Sequence, residues 1–149
     1  MELSYSVKIA ILFSGIFLWI GMATGVWKYL QMKKSNETRA HYYVDVAHRS
    51  SLLYAPAALI LGVLAYFSIW NEALNMAAVL VNIIFFSASI AAYILHGFLQ
   101  DTKNQFQQPH RLGRYHLPNW MMQLFMWGLI LAELGGTTVL LLGAYLALF

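Results

Sequence analysis

Apolar residues dominate four long stretches of the chain, and polar residues gather in the short intervals between them. A membrane-spanning helix needs about 20 mainly apolar residues. The stretches at 8–28, 47–70, 74–98 and 119–149 all meet that length. The pattern predicts an all-α integral membrane protein, a single bundle of four transmembrane helices. The first span carries Gly21-Met22-Ala23-Thr24-Gly25, a GxxxG that favours close helix approach. The second carries Pro56 in its first half. The fourth is longer than one crossing requires, which predicts tilt or projection beyond the bilayer.

Charge then orients the bundle. Lys28, Lys33, Lys34, Arg39 and Arg49 flank the first connection, and Lys103, Arg111 and Arg114 lie in the third. The connection around Asn71-Glu72-Ala73 has no basic residue. The positive-inside rule makes the basic connections cytoplasmic and puts both termini outside. This is the arrangement expected in a bacterial inner membrane. Tyr5, Trp19, Trp27, Tyr29, Trp70, Trp120 and Trp127 mostly suit interfacial belts. The polar connection from Asp101 to Asn119 is long enough to fold back and close the cytoplasmic end of the bundle.

Of the 149 residues, 60% are hydrophobic and 10% charged, against about 25% charged in soluble domains. The net charge of +3 follows the topology signal and implies no nucleic-acid partner. There is no cysteine, which excludes disulfides, thiolate-ligated haem and cysteine-bound iron–sulfur clusters.

All five histidines, His41, His48, His96, His110 and His116, map to the cytoplasmic half or its loops. Histidine is a common neutral metal ligand and binds haem iron through one ring nitrogen. Carboxylates are few and no Glu-x-x-His motif occurs, so haem suits this inventory better than a di-iron centre. His48 and His96 close neighbouring helices on one side, where they also suit hydrogen bonds to headgroups or backbone. Tyr93 and His96, three apart, share a helix face. Tyr54, six after His48, points in another direction. Asn82 and Gln123 read as interhelical hydrogen-bonding groups. Glu133 is the acid deep in a span and should be protonated or paired.

With these residues in place, the chain resembles the styrene oxide isomerase family of small bacterial membrane enzymes. The resemblance covers most of the chain. It rests on four spans and a first helix reading Ile11-Leu12-Phe13, Leu18-Trp19-Ile20-Gly21 and Gly25-Val26-Trp27. It rests also on Ala47-His48 opening the second helix, Tyr93 near the end of the third, and the following Asn104-Gln105-Phe106. The resemblance implies a homotrimer with haem b at the subunit interfaces and His48 as axial ligand of the iron. It implies that ferric haem acts as a Lewis acid on the oxygen of a small apolar epoxide. Ring opening and a 1,2-hydride shift then give an aldehyde, the Meinwald rearrangement, without net redox change. Tyr93 matches a residue that helps hold the substrate. Where the family has an asparagine shortly after the ligand, this chain has Tyr54, a larger side chain carrying a hydroxyl.

Two other readings stay open at the level of sequence. If His48 and His96 both ligate haem, the chain is a b-type membrane cytochrome or electron-transfer subunit. A cofactor-free accessory membrane subunit is the third.

Overall fold

The computed structural model describes residues 2–149. Four long helices carry the chain: α1 (Tyr5–Lys34), α2 (Tyr42–Phe67), α3 (Glu72–Leu99) and α4 (Asn119–Leu148). Each is long and apolar enough to cross a membrane, as a multi-pass membrane protein requires. The helix starts and stops follow local chemistry. Asn71 caps α3 by accepting the Leu74 N–H at 2.9 Å. His41 caps α2 through its ring, accepting from the Tyr43 N–H at 3.4 Å. α1 runs to Lys34 and α2 begins at Tyr42, beyond the apolar stretches, because helical hydrogen bonding continues past the last apolar residue. α2 ends at Phe67, three residues before its expected end. The Trp70 indole N–H instead donates to the Val139 carbonyl at 2.8 Å, tying this connection to α4.

α2 and α3 form the central pair. α1 packs most extensively on α2 and touches α3, and α4 packs on α3 and α2. Much of the buried surface between helices is small, and many large apolar residues face outward. Small residues such as Ala10, Ala47, Ala58 and Ala78 are buried, whereas Trp19 (66% exposed) and Leu131 (68% exposed) face outward. Lipid accepts such a surface, and small interior residues let backbones approach. Gly62 meets Ala10 in this way, a Cβ added there lying 3.0 Å from the Ala10 Cβ.

Phe17, 1% exposed, anchors the middle layer. Its ring meets Phe86 edge-on at 6.4 Å, and Tyr54 stacks on Phe86 at 4.3 Å, joining α1, α3 and α2. Between α3 and α4 the Thr137 hydroxyl donates to Asn82 Oδ1 at 3.2 Å, the interhelical bond expected of Asn82. Gln123 is exposed instead, beside the segment from Phe106 to His110. At the end where the α2–α3 connection has no basic residue, both oxygens of Glu72 clasp Ser6. The Ser6 N–H donates at 2.7 Å and its hydroxyl at 2.9 Å.

The 101–118 connection does fold back. It forms a small antiparallel hairpin, β1 (His110–Leu112) and β2 (Tyr115–Leu117), with Arg111 opposite His116. Gly113 takes φ +59° at its turn, where a side chain would be strained.

Candidate functional site

His48 sits one and a half turns into α2 with its ring in the notch of the α1 GxxxG. Its Nδ1 lies 2.7 Å from the Gly21 carbonyl oxygen. A carbonyl only accepts, so Nδ1 carries the proton and Nε2 keeps a lone pair. A Cβ on Gly25 would stand 2.8 Å from Cε1 and 3.0 Å from Nδ1 of this ring. A Cβ on Gly21 would stand 2.6 Å from the Leu52 side chain. The GxxxG therefore does pack helices, and it also makes the seat in which His48 is held. The imidazole remains half-buried. One turn earlier, Asp45 joins Lys28 of α1 and Arg49, the latter at 2.8 Å, bracing the same helix pair.

His96 has a different environment. Its Nδ1–H donates to Asp101 Oδ1 at 2.8 Å, with the two side chains only 8% and 6% exposed. Its ring lies 5.1 Å from that of Tyr43, which in turn stacks on Tyr93 at 6.0 Å. The Gly113 N–H donates to the second Asp101 oxygen at 2.6 Å. Burial opposes the ionised form of Asp101, but the Gly113 and His96 hydrogen bonds outweigh it and hold the carboxyl below its usual range. The Gln105 N–H donates to the Tyr43 hydroxyl at 2.6 Å, and the His110 Nδ1–H to the Gln105 carbonyl at 2.9 Å. Through these bonds His96, His110, Tyr43 and Asp101 pin the 101–118 connection under the bundle. Sequence reasoning missed Asp101 and Tyr43 in this role. Their only signal was a carboxylate five residues past a histidine and a tyrosine at the start of a span.

His41 is taken up by capping the start of α2. Burial and then the Lys103 charge push its imidazole below the usual range. His116 is exposed on β2. Among the described residues, no group of three or more histidine and carboxylate side chains converges as for a bare metal ion. Haem differs, since its porphyrin supplies four ligands and the protein needs to give one.

The two tyrosines lie together, away from His48. Tyr54 stacks on Phe86 of α3 and has Tyr93 and Glu133 as electrostatic neighbours, and Tyr93 likewise senses Glu133. Glu133 Oε1 is buried with no hydrogen-bond partner. Six residues on a helix turn through about 600°, so Tyr54 projects about 120° from His48. His48 accordingly faces α1, and the tyrosine–carboxylate group faces α3 and α4.

Comparison with protein-family models, characterised proteins and solved structures returns no match to this chain. The fold and side-chain geometry define its class: a four-helix protein of membrane-spanning character, with one histidine hydrogen-bonded between α1 and α2 and a separate tyrosine–carboxylate group.

Proposed function

We propose that the chain is a haem b-binding membrane isomerase that rearranges small apolar epoxides to aldehydes, with His48 as the axial ligand. The observation that carries the proposal is the His48 seat. A metal-binding histidine commonly donates its other ring N–H to a carbonyl or carboxylate, which fixes tautomer and orientation. The Gly21 carbonyl does this for His48, and the ring stays accessible. Bound there, haem b would supply a Lewis-acidic iron able to polarise an epoxide oxygen. The chain's own residues do the rest. Gly25 leaves room for the imidazole, and Tyr54 and Tyr93 offer hydroxyls to hold an oxygen. Phe86 and its neighbours form a dry wall that limits attack by water.

His48 and Tyr54 project from different sides of α2, and Tyr93 stands on α3. The homotrimer with interfacial haem is the assembly that the family resemblance implies. Basic connections on the cytoplasmic side of a bacterial inner membrane complete the proposed setting. The cytochrome alternative needs His96 on iron as well. Its Nδ1–H is held by Asp101 much as that of His48 is held by Gly21, but its side chain is buried at 8% exposure against Tyr43, so a macrocycle would have to displace that packing to reach it. This favours a single protein ligand.

The test is an absorption spectrum of protein expressed with ample haem and purified in detergent, for the wild type and His48→Ala, followed by styrene oxide turnover. The expected result is a high-spin Soret band that vanishes in the variant, with phenylacetaldehyde formed by the wild type alone. A protein that takes up no haem overturns the proposal. A low-spin bis-histidine spectrum shifts it to the cytochrome.

A further inference from the structure

A cavity of about 770 Å³ opens where α1 ends and α2 begins, and none of the chemistry above uses it. A second of about 520 Å³ adjoins it, with His41, Gln100 and Lys103 in both walls. Lys34, Arg39 and Lys103 line the first, and Arg111 lines the second. Among the described residues none of these four cations forms an ion pair. The acids nearby are mostly committed: Asp45 to Lys28 and Arg49, and Asp101 to His96 and the Gly113 N–H. Glu37 is the remaining carboxylate in the walls. The joined space is thus a basin with an uncompensated positive charge.

Two observations point to what fills it. The positive dipole end of α2 forms part of the wall, through His41 and Tyr42. Tyr29 near the end of α1 and Tyr42 at the start of α2 are both exposed, as tyrosines at a headgroup boundary are, and both flank the connection that the basin occupies. We propose that this basin binds the phosphodiester headgroup of an anionic lipid from the adjoining leaflet, with Arg39 and Lys103 as its principal contacts. Arg39 suits the planar fork of phosphate recognition, and Lys103 supplies a point charge from the opposite connection. A lipid held there links the α1–α2 connection to the 101–118 connection, bracing the end of the bundle nearest His48 and His96. The site is independent of haem.

The test uses the full-length protein in neutral detergent, with phosphatidylglycerol, phosphatidylcholine and inorganic phosphate as probes. Binding is read by native mass spectrometry and by the melting temperature. Phosphatidylglycerol should bind and raise the melting temperature, while phosphatidylcholine does neither. Arg39→Gln with Lys103→Gln should weaken the phosphatidylglycerol effect about thirtyfold, at about five- to sixfold per cation. Both residues lie outside the helices, so the variant should keep wild-type stability without lipid. On the wild type, 0.5 M salt should remove the effect through screening. Equal binding of the two lipids, or an unchanged response in the double variant, overturns the site. Displacement of the lipid by inorganic phosphate supports a site for phosphate in any form, whereas retention supports the lipid headgroup.

Discussion

The imidazole of His48 and the backbone carbonyl of Gly21 are joined across α1 and α2 by a 2.7 Å hydrogen bond, in a notch that Gly25 keeps open. The contact fixes which ring nitrogen carries the proton, and it makes a helix-packing motif into part of the candidate site. Gly25→Leu should push the ring out of its seat. Overpacking of this kind costs about 1–3 kcal/mol. The expected outcome is a folded, less stable protein with its Soret band lost or shifted. An unaltered spectrum in a folded G25L protein would falsify the role given to the notch.

Under the isomerase reading proposed above, Tyr54 stands where the resembled family has an asparagine. Tyr54→Phe keeps the stack on Phe86 and removes the hydroxyl. Loss of one substrate hydrogen bond of about 1.4 kcal/mol should lower kcat/KM for an epoxide about tenfold, leaving the melting temperature unchanged. Tyr54→Asn restores the family's amide but forfeits the aromatic stack, so it should lower stability while retaining measurable turnover.

Asp101 should govern how the 101–118 connection closes its end of the bundle. Asp101→Ala leaves the His96 Nδ1–H and the Gly113 N–H without their acceptor, a cost of about 1–3 kcal/mol per abandoned group. Hydrogen exchange or limited proteolysis should show the 101–118 connection opening while the four helices persist.

The acid response follows from two groups outside the spans. The Asp101 carboxyl is held below its usual value of 3.8, so its stabilisation is present above that pH and is lost as pH falls through the folded-state value. The His41 imidazole is held below 6.5, so the folded state binds fewer protons than the unfolded one as pH falls past 6.5, and stability declines there. Melting temperature should therefore be level above about pH 7 as far as these two groups are concerned, dip below 6.5, and drop again below 4. His41→Gln should remove the first step, and Asp101→Asn the second.

At the opposite end, Glu72 holds Ser6 through two bonds. Ser6→Ala removes the hydroxyl bond alone and should cost about 1 kcal/mol. Glu72→Ala removes both and should cost about twice that. Thermal unfolding in detergent would compare them, with fraying of the first turn of α1 as the local sign.

The helical architecture was legible because each span carries its own signal. A run such as Ile9–Trp19 needs no partner to declare itself apolar, and the backbone in hydrocarbon has to be helical. The helix ends were less legible, since capping by Asn71 and His41 and the indole bond from Trp70 to Val139 depend on atoms brought together by folding. The hairpin at 110–117 was not visible in an eight-residue, mostly polar stretch marked only by Gly113.

Residue type and order thus determined four spanning-length helices, the gathering of histidines at one end and the short list of polar groups inside the spans. Tertiary structure alone decided what each of those groups does. It placed His48 against α1, gave His96 to Asp101, set Tyr54 and Tyr93 near Glu133 and left four cations unpaired around one basin. The physical reason is range. Hydropathy is summed along a single segment, whereas a hydrogen bond acts over about 3 Å and depends on which faces of separate helices meet.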